Sequence, residues 1–258
     1  DLLGCVSGEL GLRKFLEDAG HTLLVTSDKD AEDCEAGFVP QTGLVRDWKM
    51  PSGKGIRTDN GIVKGQMITP YYDSMLAKLI AFGETRHEAI RRLRRALKET
   101  VLLGLSSNKP FLLGLLEDPV FVMGEATTRH IEETYLPQKE NQGCFSPSDA
   151  MWSMAAILLS RTQGATGWRS TGVLSWPVRL KFQQTQQDFV VSQDGHQYCV
   201  EADGFETQDV IILNESEGEL TLQVNGIRSR MTVALDEQQC LYIDDRSEVA
   251  MFEKLSFS

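Results

Sequence analysis

Residue types able to do chemistry are few in this chain, and they are scattered. Four histidines, His21, His87, His130 and His196, stand alone. Their spacing offers neither a metal pair nor a base beside a nucleophile. Five cysteines, Cys5, Cys34, Cys144, Cys199 and Cys240, are widely separated and form no C-x-x-C. They read as reduced thiols of an intracellular protein rather than as a disulfide framework or a zinc site. Gly53-Lys54 invites a phosphate-binding loop, but G-x-x-x-x-G-K-[ST] fails, because Trp48 stands at the first glycine position and Gly55 follows the lysine. Pro51, Gly53 and Gly55 read instead as turn residues. No two glycines are adjacent and no G-x-G-x-x-G occurs. No loop therefore presents the backbone N–H groups that a phosphate or dinucleotide needs. Asn214-Glu215-Ser216 is a glycosylation sequon only in a secreted chain, which the thiols argue against.

The elements that must position these residues fall into three blocks. The chain has 258 residues and a net charge of −11. That acidity makes nucleic acid and anionic membranes poor partners. No apolar run approaches the roughly 20 residues of a spanning helix. The chain starts at Asp1 with no targeting segment, as a fragment or processed piece would. Residues 1–30 carry a net −3, residues 31–136 are neutral and residues 137–258 carry −8. In the first block, Gly8–Gly20 reads as a helix and His21–Thr26 as a buried strand.

The middle block begins with a strand over Leu44–Met50, and Met75–Phe82 reads as a buried strand ending at Gly83. Thr85-x-x-Glu88 is a capping box that opens a helix to about Val101. On that helix Ala89, Ile90, Leu93, Ala96 and Leu97 share one face, and Arg86, Arg91, Arg92, Arg94, Arg95 and Lys98 cover the other, which reads as a solvated face. A second helix follows over Lys109–Leu116.

Leu136–Pro147 reads as a linker into the last block. There Ser146, with Pro147 behind it, caps a helix to about Arg161 whose apolar residues wrap most of its circumference. Everything after Trp168 reads as strands: 178–182, 189–191, 197–200, 210–213, 220–224, 227–233, 241–243 and 249–252. Asp194-Gly195 and Asn225-Gly226 are predicted two-residue type I′ turns. The fold class expected is α+β: an antiparallel sheet with helices, then an antiparallel β-barrel-like domain around one long helix.

Three resemblances are carried by these residues. LLGCVSGELGLRKFLEDAGHTLLVTSDKD resembles the N-terminal region of NAD-dependent formate dehydrogenases, and the match stops at Asp30. Residues 31–136, with AEDCEAGFVPQTG, GKGIRTDNGIVKGQMITPYYDSMLAKLIAFGETRHEAIRRLRRAL and LLGLSSNKPFLLGLLEDPVF, resemble the C-terminal part of a biotin carboxylase domain. That family uses ATP, Mg²⁺ and bicarbonate to carboxylate biotin. The resemblance implies that Tyr72 and Asp73 adjoin the biotin pocket and that Arg57 lies near a subunit contact; a buried hydrogen-bond or salt-bridge role is open for both Asp73 and Arg57. It also implies that the catalytic arginine's place is held here by Asp28. The ATP-grasp core lies before the point where the resemblance begins.

Residues 137–258, through the order of one helix and about eight strands and through Gly167-Trp168-Arg169, resemble the domain that joins biotin carboxylase to the biotin carrier. It belongs to α subunits of propionyl-, methylcrotonyl- and geranyl-CoA carboxylases. VLLGLSSNKPFLLGLLEDPVF leans towards the methylcrotonyl/geranyl branch. In those families this domain docks a carboxyltransferase β subunit, and Trp168 and Trp176 become candidate anchors, with barrel core as the other reading. The family's biotinyl Lys of A-M-K-M has no match, because Ala150-Met151 and Ala250-Met251 are followed by Trp152 and Phe252.

Together these readings imply part of an α subunit of a biotin-dependent acyl-CoA carboxylase, inactive by itself and binding no cofactor. Its partners would be other α subunits and a β subunit, in the cytoplasm or, in a eukaryote, the mitochondrial matrix. A non-catalytic docking module and a formate dehydrogenase fragment are the alternatives.

Overall fold

The apolar run Met75–Gly83 is nearly continuous because it is buried on both faces. The computed structural model describes residues 23–30, 32–33, 39–71, 75–127, 129–140, 146–161 and 173–256, the backbone alone before residue 41 and at 139–140. The chain divides into two compact units, Asp1–Phe145 and Ser146–Ser258. Leu136–Glu140, placed by the sequence in the linker, is helical.

In chain order the first unit contains β1 (Leu23–Asp30), β2 (Glu32–Asp33), β3 (Val39–Pro40), β4 (Gly43–Leu44), β5 (Asp47–Lys49), β6 (Ile56–Asn60), β7 (Met67–Ile68), β8 (Met75–Gly83), α1 (Arg86–Glu99), β9 (Val101–Leu103), α2 (Lys109–Leu115), α3 (Pro119–Met123), a π-helical turn (Ile131–Tyr135) and α4 (Leu136–Glu140). Strand β8 is central in an antiparallel sheet of order β1-β8-β6. Its Ala77, Leu79 and Ala81 pack on Ala89, Ile90, Leu93, Ala96 and Leu97 of α1 and on Leu112, Leu113 and Leu116. Leu76 belongs to a second cluster with Val45, Ile62, Leu102 and Leu105.

Strand β1 joins residues 23–30 to β8 of the middle block. It runs to Asp30 rather than Thr26, because β8 supplies antiparallel partners from Gly83 down to Met75. The single strand expected over Leu44–Met50 is split. Gly43–Leu44 pairs with β7, while Asp47–Lys49 pairs with β9, so one stretch serves two partners. The expected helix end at Val101 moves back to Glu99. Thr100 is extended, and its N–H and hydroxyl both return to the Ala96 carbonyl. The predicted helix Gly8–Gly20 lies outside the described residues.

The basic face of α1 is engaged by the protein itself. Arg86 donates to the carbonyls of Phe121 (2.5 Å) and Val122 (3.1 Å) near the end of α3, where the helix dipole favours a cation. Arg92 bridges the Phe82 carbonyl and Glu88, each at 2.6 Å. Arg94 pairs with Glu117 and Arg95 with Glu99. The cap at Thr85 accepts from the Glu88 N–H, whereas the Glu88 carboxylate reaches the N–H of Glu84 rather than that of Thr85.

The second unit is α5 (Asp149–Arg161) with β10 (Leu174–Phe182), β11 (Thr185–Asp194), β12 (Gln197–Ala202), β13 (Gln208–Ser216), β14 (Glu219–Val224), β15 (Ile227–Leu235), β16 (Cys240–Asp244) and β17 (Val249–Leu255). The eight strands close into a barrel in sequence order. The alternation predicted for the strands is observed: Val178, Leu180, Phe182, Phe189, Val191, Val200, Leu220 and Leu222 are buried on the inner face. Helix α5 packs against strands on several sides of the barrel. Its Trp152 ring lies 4.8 Å from Phe252 and 5.6 Å from Phe189.

The cap of α5 is Ser148, not Ser146. The Ser148 hydroxyl accepts from the Met151 N–H and its carbonyl from the Trp152 N–H, which closes the first turn. At the other end Lys254 donates to the Leu159 carbonyl (2.8 Å), and Arg161 reaches Tyr198 (2.8 Å) and Glu215 (3.0 Å). Asn225 and Gly226 both have positive φ, as type I′ requires. The other predicted turn is shifted by one residue. Asp194 pairs with Gln197, leaving Gly195-His196 as the loop, with positive φ at Gly195 alone, the sign pattern of type II′. No described helix is long and apolar enough to cross a membrane.

Candidate functional site: the sheet face opposite α1

Pairing across the three-stranded sheet creates a row that no single segment contains. Asp28 on β1 is opposite Lys78 on β8, and Lys78 is opposite Asp59 on β6. The neighbouring row on the same side is Thr26, Ile80 and Arg57. Because side chains alternate along a strand, these even-numbered positions of β8 face away from Ala77, Leu79 and Ala81, which pack on α1. The basic Lys78 thus sits between two acidic register positions.

Arg57, expected near a subunit contact, is on β6, which is an edge of its sheet. Its fork is bidentate to Asp59, with Nε–Oδ1 and Nη2–Oδ2 both 2.9 Å. That hydrogen bonding holds the guanidinium pKa above its ordinary value against a small loss from burial. An anion approaching Arg57 must compete with Asp59 for the same donors. Tyr72 and Asp73, expected at the biotin pocket, lie outside the described residues, between β7 and β8. Their neighbour Tyr71 is 86% exposed. Arg57 and Asp59 are brought together here; a contact of Arg57 with Tyr72 or Asp73 falls outside what is described.

Of the two tryptophans proposed as anchors, Trp168 lies outside the described residues. Trp176 is half-buried on β10, opposite Val191, a fully buried inner-face residue. That register puts Trp176 on the inner face of the barrel. Its indole N–H is buried and has no hydrogen-bond partner among the described residues.

Two polar arrangements escaped sequence reading. Buried His130 and partly buried Asp118 meet at 3.0 Å, and the same carboxylate caps the Phe121 N–H of α3 at 2.9 Å. The Asp118-Pro119 pair signals that cap, but nothing local signals the histidine 12 residues on. Lys109 is 1% exposed and donates to the Thr100 carbonyl at 3.0 Å, a helix-end contact of the kind a buried ammonium needs. Among the described residues no three His, Cys, Asp or Glu side chains gather at metal-binding distance. The described Cys199 is a free thiol.

The sheet-and-helix unit and its motifs define a class, which comparison with known proteins identifies. The sequence model of the biotin carboxylase C-terminal domain matches residues 30–133. Biotin carboxylase 1 of Bacillus subtilis is 45% identical over 103 residues, 40% of this chain and 23% of that protein. The pyruvate carboxylase of Aspergillus niger is 43% identical over 104 residues, 40% of this chain and 9% of that protein. A crystal structure of the Hydrogenobacter thermophilus 2-oxoglutarate carboxylase biotin carboxylase domain aligns with a TM-score of 0.42 and 37% identity, over 43% of this chain and 24% of that one. Over residues 30–133 this chain is therefore similar to the C-terminal domain of biotin carboxylases. The matched part spans about a quarter or less of the length of these relatives.

Proposed function

We propose that this chain is part of the α subunit of a biotin-dependent acyl-CoA carboxylase, of the methylcrotonyl-, geranyl- or propionyl-CoA type. The observation that carries the proposal is an order: a biotin carboxylase C-terminal domain followed in one chain by a closed eight-stranded barrel packed on a single helix. In this reading residues 30–133 contribute the biotin-side wall of a carboxylase domain, with Tyr72 and Asp73 beside the pocket. Arg57, on an edge strand, serves contact with another α subunit. The unit Ser146–Ser258 docks a carboxyltransferase β subunit.

The chain alone turns over no ATP. No Gly-rich phosphate loop occurs in its sequence, and by the resemblance the place of the family's catalytic arginine is held by Asp28, whose charge repels a phosphate or carbonate anion. Residues 23–30 pair with β8, a strand inside the matched region, which supports a structural role for that stretch over dehydrogenase chemistry.

The test is sedimentation of the full chain with a carboxyltransferase β subunit of each acyl-CoA type. One partner should co-sediment stoichiometrically, and Trp168→Ala should weaken it about tenfold or more, as for an aromatic hot spot. Trp176→Ala, an inner-face change, should lower thermal stability first. Failure of all three β subunits to bind would end the reading.

A further inference from the structure

The second unit is acidic, and its basic side chains fall into two groups. Arg161 is paired with Glu215 and Tyr198, Arg179 with Asp188, and Lys181 with Glu253, while Lys254 holds the Leu159 carbonyl. The other described cationic side chains of the unit are Arg228, Arg230 and Arg246, and no acidic group pairs with any of them among the described residues. All three line one open depression of about 550 Å³, together with Ser148, Ser229 and Asp245.

The barrel's own pairing creates this place. Strand β15 pairs with β16 only from Thr232 to Leu235, so Ile227–Met231 have no partner on that side. Arg228 and Arg230 project from this unpaired half, and Arg246 comes from the turn after β16 at a positive φ of 80°. Ser148, the cap of the 13-residue helix α5, brings the positive end of the helix dipole to the same depression. The one carboxylate in the lining, Asp245, already accepts the N–H groups of Ser247 and Glu248. Three guanidinium groups and a helix N-terminus repel one another unless an anion joins them.

We propose that this depression binds a small ligand carrying clustered phosphate groups. Guanidinium forks bind phosphate oxygens bidentately, and three of them match several adjacent charges better than one. The site is independent of the docking reading, because it needs neither a β subunit nor the carboxylase unit.

The experiment is calorimetric titration of the full chain with inorganic pyrophosphate at low ionic strength, with orthophosphate in parallel. Pyrophosphate should bind at one site per chain, more tightly than orthophosphate, and should weaken as salt rises. Arg228→Gln, Arg230→Gln and Arg246→Gln should each lower affinity by about fivefold or more, the strength of a charge-assisted hydrogen bond. Arg179→Gln, which removes a paired arginine outside the depression, should leave it unchanged. Arg228, Arg230 and Arg246 are exposed, so their variants fold. No saturable pyrophosphate binding, or binding indifferent to the three substitutions, would overturn the proposal. So would binding of a poly-glutamate peptide where pyrophosphate fails, which would mark the surface as a docking place for an acidic protein segment.

Discussion

Replacing Trp152 with alanine tests whether α5 is the core of the barrel. The indole is 7% exposed and touches rings from three strands: Phe252 at 4.8 Å, Phe189 at 5.6 Å and Phe182 at 6.3 Å. Truncating a buried tryptophan costs about 3–5 kcal/mol, from lost transfer energy and the cavity left behind. The edge-to-face contacts with Phe252 and Phe182 place this site at the upper end of that range. For a unit of this size each kcal/mol moves the midpoint by roughly 4 °C, so Tm should fall by about 12–20 °C. Differential scanning calorimetry of the full chain reads this directly, with Trp152→Phe expected to recover more than half of the loss. Leu213→Ala, at a site 48% exposed, should shift Tm by no more than about 2 °C. A Trp152→Ala shift as small as that of Leu213→Ala would refute a helix enclosed by strands.

Gly55 has φ +76°, and a Cβ there would meet Arg92 Nη1 at 2.5 Å and the Phe82 carbonyl oxygen at 2.9 Å. Gly55→Ala should therefore cost about 1–3 kcal/mol in urea unfolding, while Gly61→Ala, with open space around it, should be near neutral. Burial raises the Cys199 thiol pKa, with Glu201 and Asp209 adding to it. At a pH of about 7.5 Cys199 should react with iodoacetamide more slowly than a free cysteine, and mass spectrometry of the labelled chain checks this. The Arg179 hydrogen bond holds the Asp188 carboxyl below its ordinary range, so the pair's contribution is present above about pH 4 and is lost as pH falls through the folded-state value. Carbon-detected NMR titration should show that Arg179→Gln returns Asp188 to an ordinary carboxylate.

The barrel was legible because each strand alternates and most turns carry their own chemistry. Val178, Leu180 and Phe182 face in on a period of two, and Asn225-Gly226 marks its hairpin. Glu217-Gly218 makes the same positive-φ turn without an asparagine or aspartate to announce it. Helix α1 was legible in its face and its cap, but its end at Glu99 depends on β9 pairing with β5, which is a tertiary event. The same limit applies to β1: Ser27-Asp28-Lys29-Asp30 has no strand pattern of its own and is extended because β8 runs beside it.

The candidate site was less legible than the fold for one physical reason. Arg57 and Asp59 are two residues apart and their pairing follows from strand geometry alone, whereas Asp28, Lys78 and Asp59 share a row only through two strand registers. Arg228, Arg230 and Arg246 converge through a gap in strand pairing that no periodicity contains.

Hydrogen exchange of the full chain, measured with and without a carboxyltransferase β subunit, tests the proposed role most directly. The β subunit should slow exchange within Ser146–Ser258, most of all between Trp168 and Pro177, and leave the β8–α1 core at 75–99 unchanged. Protection confined to residues 23–133, or none in either unit at saturating β subunit, would contradict it.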